Sequence, residues 1–428
     1  MPQIAILADD LTGANDTGVQ FSKYGLRTSV SLSDTFRSDA FEKMDVWVMD
    51  TDSRAITSSE AAKRVREYCQ RLQTQPLDTL YKKIDSTLRG NVGAEIAAAS
   101  EEYEPLLTVI APAYPKARRY TIGGYQLLEG IPISLTEFAR DPQRPVTEAY
   151  LPRLLGTETG AEVGIVPLQV VMDGTKAVHE MITRQLAAGC NRLIFDAVSD
   201  IDLKHIAEAA SSFAKVLWVG SAGLAEQLPP VYRWKSGNAV IRTASSSVLV
   251  VAGSVSAVTQ AQLQYYIRQT GAINILIDPV AAILTPADET ARLIAATAPL
   301  LGAREMVISC SNQSAVINQA IAAGQSAGFA ANEVGAQIAC VLAGAVQRLV
   351  ELGVDGLFLT GGETAVHCCR SLEAGGIEIL AEVAPGIPLG RLTGGRFAGL
   401  SVVTKAGGFG DVDAIERGIQ ILRKRGEP

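Results

Sequence analysis

The chain has 428 residues, 47% of them hydrophobic and 19% charged, which suits a packed globular protein of two domains and argues against disorder. Lys and Arg number 38 against 45 Asp and Glu, and a net charge of −7 gives no electrostatic basis for wrapping a nucleic-acid backbone. No stretch approaches the roughly 18 uninterrupted apolar residues of a membrane span, and Asp9 and Asp10 break the first apolar run before it could act as an export signal.

Short β-branched runs alternate with helix-length amphipathic segments, the pattern of a mainly parallel sheet flanked by helices. In the first half, strands are predicted at 3–8, 27–32, 46–49, 79–81, 108–111, 162–166, 192–195 and 216–219, and helices at 15–24, 59–72, 92–102, 176–187 and 203–214. Around Pro229, Pro230 and Trp234, and again at 245–247, the periodicity lapses. The first domain is therefore expected over 1–230, a linker over 231–247 and a second α/β domain over 248–428. Its strands are predicted at 248–252, 272–277, 306–309, 356–359, 378–383 and 400–403, and its helices at 257–268, 287–298, 332–351 and 364–372. The six cysteines form no C-x-x-C pair, so ordinary buried thiols in a reducing cytoplasm are expected. Of the three histidines, His179 and His205 read as surface residues and His367 as a helix residue.

Ligands of open parallel sheets bind beyond the carboxyl ends of the strands, where loops converge and helices present free N–H groups. The first exit, "IAILADDLTGANDTG", carries Asp9 and Asp10. Capping is assigned to Asn15 or Asp16, so the two adjacent carboxylates point to a polar ligand or a metal. The second exit, "MDTDSRA", offers Arg54, either as a fork onto a ligand carboxylate or as a surface ion pair. The third, "YKKIDSTLRGNVGAEI", packs Lys82, Lys83, Asp85, Ser86, Thr87 and Arg89 together, a set that is costly to enclose without a multiply hydrogen-bonding ligand. A long ordered loop is expected next, "APAYPKARRYTIGGYQLLEG", with Lys116, Arg118 and Arg119 solvated. In the second half the exits turn to glycine and hydroxyl: Ser254 and Ser256, then Gly361, Gly362, Glu363 and Thr364, then Lys405, Gly407, Gly408 and Gly410. Glycines let backbone approach phosphate oxygens, so three such loops suggest a nucleotide site, although neither a P-loop nor a dinucleotide fingerprint is present.

Together "LADDLTGANDTG", "KKIDSTLRGN", "TGGETA" and "KAGGFG" resemble the four-carbon acid sugar kinases over essentially the whole chain. The resemblance implies an acid-sugar domain followed by a nucleotide domain, an active site in the inter-domain cleft, and phosphorylation of a sugar acid's terminal hydroxyl with ATP and Mg²⁺. "DTGVQF" and "DTDSRA" look closer to the D-threonate and D-erythronate kinases than to the 3-oxo-tetronate kinases, with D-threonate the implied substrate. Carried over by position, Asp9, Asp10, Arg54, Lys82, Lys83, Ile84, Asp85 and Ser86 would contact the sugar acid. Ser254, Gly361, Gly362, Glu363, Thr364, Gly407 and Gly408 would contact ATP. Arg54 would grip the substrate carboxylate, Lys82 or Lys83 would offset phosphate charge, and Asp10 or Asp85 would take the hydroxyl proton or hold magnesium. The metal ligands themselves are left unassigned. The expected partners are small molecules, with neither nucleic acid nor membrane; a homo-oligomer is compatible with these features. A non-catalytic sugar-acid sensor is the alternative from another class, and a nicotinamide oxidoreductase is disfavoured by the missing fingerprint.

Overall fold

The computed structural model describes residues 3–32, 44–141, 144–159, 163–234, 243–331 and 333–424. The expected linker lies partly outside these residues, as do the expected strand start at Glu162 and helix start at position 332. The chain divides into two compact units, Met1–Val30 with Thr35–Asn238, and Ser31–Asp34 with Ala239–Pro428.

In the first unit the strands are β1 (Ile4–Ala8), β2 (Thr28–Ser31), β3 (Val46–Asp50), β4 (Thr79–Lys83), β5 (Leu107–Ala111), β6 (Arg119–Ile122), β7 (Tyr125–Leu128), β8 (Ile131–Pro132), β9 (Gly164–Val166), β10 (Arg192–Phe195) and β11 (Val216–Gly220). Eight of them form a sheet in the order β2-β3-β1-β4-β11-β5-β10-β9, and the pairings from β3 to β9 are parallel. β1, β4, β5 and β11 are buried along their whole length, as strands covered on both faces must be. The helices that bear on the site are α1 (Leu11–Ser22), α2 (Ser58–Leu72) and α3 (Val92–Tyr103). α2 begins with a capping box, Thr57 and Glu60 bonding each other's backbone, which fixes where the chain after β3 turns into helix.

Two expectations about this unit are corrected. α1 starts at Leu11, directly after Asp10, whose Oδ1 accepts the Gly13 amide at 2.8 Å; Asn15 and Asp16, expected to cap, are buried inside the helix. The segment expected as a loop after β5 folds as the antiparallel meander β6-β7-β8. Its alternation was hidden by Gly123-Gly124, which take positive φ in the hairpin turn and donate their amides to the buried carboxylate of Asp196 at 2.7 and 2.9 Å.

The second unit has β12 (Val248–Ala252), β13 (Ile273–Leu276), β14 (Met306–Ser309), β15 (Gly356–Thr360), β16 (Gly376–Ala384), β17 (Ile387–Thr393) and β18 (Ser401–Lys405), ordered β13-β14-β12-β15-β18-β17-β16. Pairings are parallel from β13 to β18, and antiparallel from β18 through β17 to β16. β17 has no counterpart among the expected strands; five of its seven residues are buried. The helices α4 (Ala257–Thr270), α5 (Val334–Glu351) and α6 (Gly362–Ser371) follow β12, precede β15 and follow β15. α5 is long and apolar enough to cross a membrane by length and composition alone, but it packs on α6 and ends in Arg348 and Glu351, which pair with each other.

The thiols follow expectation in part: Cys69, Cys310, Cys368 and Cys369 are buried, whereas Cys340 is exposed and its Sγ lies 3.4 Å from His367 Nδ1. His179 is exposed as expected, but His205 is half-buried and its Nδ1 lies 3.0 Å from the Val171 carbonyl.

Candidate functional site

In the first unit the chain runs from β1 to β3 on one side and later returns to β4 on the other, so the strand order reverses beside β1. A crevice opens where adjacent exits lead to opposite sides of a sheet. The exits of β3, β1 and β4 carry Arg54, Asp9 with Asp10, and Lys83 with Asp85, so three segments up to 76 positions apart, the span from Asp9 to Asp85, meet at the carboxyl end of three adjacent strands.

Arg54 accounts for the paired carboxylates. Its Nε and Nη2 fork onto Asp9 at 2.7 and 3.0 Å, and its Nη1 reaches Asp10 at 2.6 Å. The Asp9 carbonyl also accepts the Ser53 and Arg54 amides at 3.0 and 3.2 Å, fixing the β3 exit against β1. The fork expected for a substrate carboxylate is engaged in this structure by the two aspartates of the β1 exit. Burial raises the carboxyls of both aspartates, but Asp9 receives two of the three guanidinium contacts and is held below the ordinary carboxylate value. Asp10 receives one, feels Asp9 beside it, and is pushed up. Asp50, the last residue of β3, is pushed well above the ordinary value, chiefly by burial with Asp52, Asp10 and Asp9 adding to it, despite the Asp52 amide at 2.9 Å. Sequence reasoning passed over Asp50, although its place at a strand end beside an acidic exit was a usable signal.

The two lysines at the end of β4 separate, because successive strand residues face opposite ways. Lys82 is fully buried against α3: its Nζ lies 2.7 Å from Glu95, 2.7 Å from the Lys83 carbonyl and 3.3 Å from the Leu7 carbonyl. Glu95 in turn accepts from Ser53, Ser53 bonds Thr51, and Thr51 donates to the Ala8 carbonyl, all within 2.9 Å. This internal chain ties β1, β3, β4 and α3 together beneath the exits, and Lys82, expected at the ligand, is buried within it. Ile84 is likewise part of the core, 2% exposed, and its amide bonds the Gly220 carbonyl.

Lys83 is different. Its side chain is buried, yet among the described residues its ammonium makes no hydrogen bond or ion pair within 4 Å. It lies over the start of α1, where a Cβ on Gly13 would meet Lys83 Nζ at 2.8 Å and Asp10 Oδ1 at 2.7 Å; only glycine leaves room for both. An ammonium beside the positive end of a helix is unfavourable alone and favourable once an anion joins them.

Asp85 is ionised throughout the ordinary pH range. Burial raises its carboxyl, but Arg89, Arg54 and Lys83 with the Thr87 hydroxyl outweigh it and leave it well below the ordinary carboxylate value. Its Oδ2 accepts from Arg89 Nε and Thr87 Oγ1, each at 2.6 Å. Ser86 is buried, and its carbonyl accepts Gln126 Nε2 from β7 at 2.7 Å. Arg119, expected to be solvated, instead turns inward from β6, within electrostatic reach of Asp85, Arg89, Asp16 and Tyr114. Lys116 and Arg118 stay outside, paired with Glu226 and Glu129.

In the second unit the strand order reverses between β12 and β15, and the three expected loops do come together there. Gly361 N donates to the Lys405 carbonyl at 2.9 Å, Ser254 N to the Thr360 carbonyl at 3.3 Å, and Ser256 Oγ to the Gly407 carbonyl at 2.7 Å. Gly361 precedes α6 with φ +107° and no side-chain cap, so the first amides of that helix, from Gly362, Glu363 and Thr364, are the groups an anion would meet. A Cβ on Gly407 would collide with Ser254 Oγ, while Gly408 and the Glu363 side chain are exposed and Thr364 is buried. Lys405, named in the sequence only as part of this loop, ends β18 with its Nζ bonded to Ala406 O, Gly407 O and Thr259 Oγ1 at 2.8, 3.0 and 3.3 Å. Burial pushes its ammonium down to about 7, and no carboxylate lies within ion-pair distance among the described residues. No three His, Cys, Asp or Glu side chains converge on a point among the described residues.

Residues 4–228 match the family model described as a sugar-binding N-terminal domain, and residues 249–415 the one described as a nucleotide-binding C-terminal domain. The chain is 35% identical to a D-threonate kinase of Salmonella typhimurium, covering 95% of each chain. It is 32% identical to a D-erythronate kinase of Heliobacterium modesticaldum, covering 97% of this chain and 95% of the other. A solved structure from Salmonella typhimurium LT2 has the same fold at a TM-score of 0.82 and 26% identity, covering 97% of this chain and 98% of that one.

Proposed function

This chain belongs to the four-carbon acid sugar kinase family, and on that premise we propose that it transfers the γ-phosphoryl group of ATP to the terminal hydroxyl of D-threonate, giving 4-phospho-D-threonate. The observation that carries the reading is Lys83, a buried ammonium that makes no hydrogen bond or ion pair within 4 Å among the described residues, set at a helix start within electrostatic reach of Asp9, Asp10 and Asp85. Such a group suits a phosphoryl oxygen whose charge grows in the transition state.

The remaining roles follow from charge state. Asp10 holds its proton more firmly than an ordinary carboxyl and is partly exposed, which suits a group that takes a proton from a hydroxyl. Asp85, kept ionised, suits a magnesium-bound water; Mg²⁺ commonly arrives with substrate phosphates and takes only one or two carboxylates, so the absence of a three-acid cluster among the described residues fits it. Bound there, the ion would neutralise phosphate charge. Ser254, the amides at the start of α6 and the Gly407-Gly408 backbone would receive the nucleotide phosphates, with Lys405 behind them. The cytoplasm, which supplies ATP and keeps thiols reduced, suits this chemistry.

The test is ADP release, coupled to a detection enzyme, with D-threonate, D-erythronate, L-threonate, L-erythronate and a 3-oxo-tetronate as acceptors. D-threonate should give the highest kcat/KM. ADP release with none of these acids would overturn the reading.

A further inference from the structure

The loop after β18 has its carbonyls gathered on one side by α4. Ser256 caps that helix, and Thr259 and Gln262 follow at three-residue steps, so the three side chains share one face. The Gly407 carbonyl accepts from Ser256 Oγ at 2.7 Å, Thr259 Oγ1 at 2.8 Å and Lys405 Nζ at 3.0 Å. Gln262 Nε2 lies 2.9 Å from each of the Phe409, Gly410 and Asp411 carbonyls. Thr259 and Gln262 are 0% and 1% exposed, so what they do for a ligand is done through the loop.

A trans peptide sets its N–H opposite its C=O. With the Gly407 carbonyl drawn toward α4, the amide of the same peptide, that of Gly408, points away from it. Gly408 is exposed, a Cβ there would meet nothing within 4 Å, and the Gly407 and Gly408 amides have no hydrogen-bond partner among the described residues. Open space around a glycine gives no steric reason for one peptide orientation over its flipped alternative, which would present a carbonyl to an anion. The hydrogen bonds to the carbonyl supply that reason.

We infer that Thr259, together with Ser256 and Gln262, is a positioning residue for the nucleotide, holding the loop's carbonyls against α4 so that the Gly408 amide faces the phosphates; this rests on the proposed use of ATP. Three donors on one carbonyl, one of them an ammonium, also polarise the Gly407-Gly408 peptide, and hydrogen bonds in series strengthen one another. Lys405 therefore acts on the phosphates through a peptide group, and Thr259, which accepts from Lys405 at 3.3 Å while donating to Gly407, aligns the ammonium with that carbonyl.

The experiment measures KM for ATP, KM for the preferred tetronate, and the Ki of adenosine as a competitor of ATP, in wild type, Thr259→Val and Thr259→Ser, alongside thermal melting. Thr259→Val keeps the shape and removes the hydroxyl, and should raise KM for ATP by about tenfold, the scale of a lost hydrogen bond to a charged system. Tetronate KM and adenosine Ki should change by less than about threefold, since neither ligand carries a phosphate, and Thr259→Ser should restore KM for ATP. A rise in KM for ATP below about threefold, or adenosine Ki and tetronate KM worsening by the same factor, would overturn the inference in favour of a structural role. Should Thr259→Val not fold, Ser256→Ala decides: a selective rise in KM for ATP above about twofold supports the inference and a smaller one rejects it. Wild type that phosphorylates no tetronate would sink the proposed reaction; the same variants titrated with ATP and with adenosine by calorimetry would then decide the inference by Kd, on the same criteria.

Discussion

Replacing Arg54 by methionine removes the only guanidinium among the described residues that bonds Asp9 and Asp10, while keeping most of the side-chain volume. Three contacts of 2.6 to 3.0 Å disappear, and Asp9, with its side chain 4% exposed, is left next to Asp10, at 26%. Removing one partner from a buried ion pair typically costs about 3–5 kcal/mol, because the other charge stays behind. The upper half of that range is expected at pH 7.5, since two like charges remain. The loss should also depend on pH, and its sign follows from the carboxyls. In the wild type Asp9 lies below its ordinary value of 3.8, so its stabilising contribution is full above that value and disappears as pH falls through the folded pKa. In the variant, burial and mutual repulsion raise both carboxyls, so the native state loses stability as pH rises through their folded pKa values. The gap between the two proteins should therefore be widest near pH 7.5 and shrink toward pH 5. All three tryptophans, Trp47, Trp218 and Trp234, fall in the first unit, so urea unfolding followed by tryptophan fluorescence reports that unit. A gap below about 1 kcal/mol, or one that is the same at both pH values, would refute the reasoning. Adding Asp9→Asn to Arg54→Met should recover part of the loss.

Asp10→Asn should lower kcat by about 10²–10⁴-fold, and the wild-type rate should rise with pH along a limb displaced above 3.8, since the base must first lose a firmly held proton; the limb should vanish in the variant's pH profile. Lys82→Met should destabilise by about 3–5 kcal/mol by stranding Glu95, whereas Lys82→Met with Glu95→Leu should cost clearly less, measured by the same unfolding assay. Lys405, with its ammonium near 7, is about half protonated at neutral pH, and triphosphate beside it should restore the proton, so ATP binding should take up about half a proton at pH 7. Calorimetry in buffers of different ionisation enthalpy checks this, and Lys405→Met should abolish the uptake.

Read along the chain, apolar runs ending in charged or glycine-rich turns were enough to mark β1, β3, β4, β12, β15 and β18 and the loops that follow them, because burial on both faces demands such runs. They also showed that one set of exits is ionic and the other glycine-rich. Tertiary structure decided what each charge does. Arg54 and Asp9 are 45 positions apart, and no local pattern says that the guanidinium serves the protein's own carboxylates. Alternation along β4 puts Lys82 and Lys83 on opposite faces, but which face meets Glu95 of α3 and which meets the start of α1 depends on where those helices pack. Arg119 looked like one of several basic residues in a loop until the pairing of β6 with β7 turned it inward. An isolated side chain's charge is a property of the sequence; whether that charge is already neutralised is a property of distance, and only the fold sets distances between segments remote in the chain.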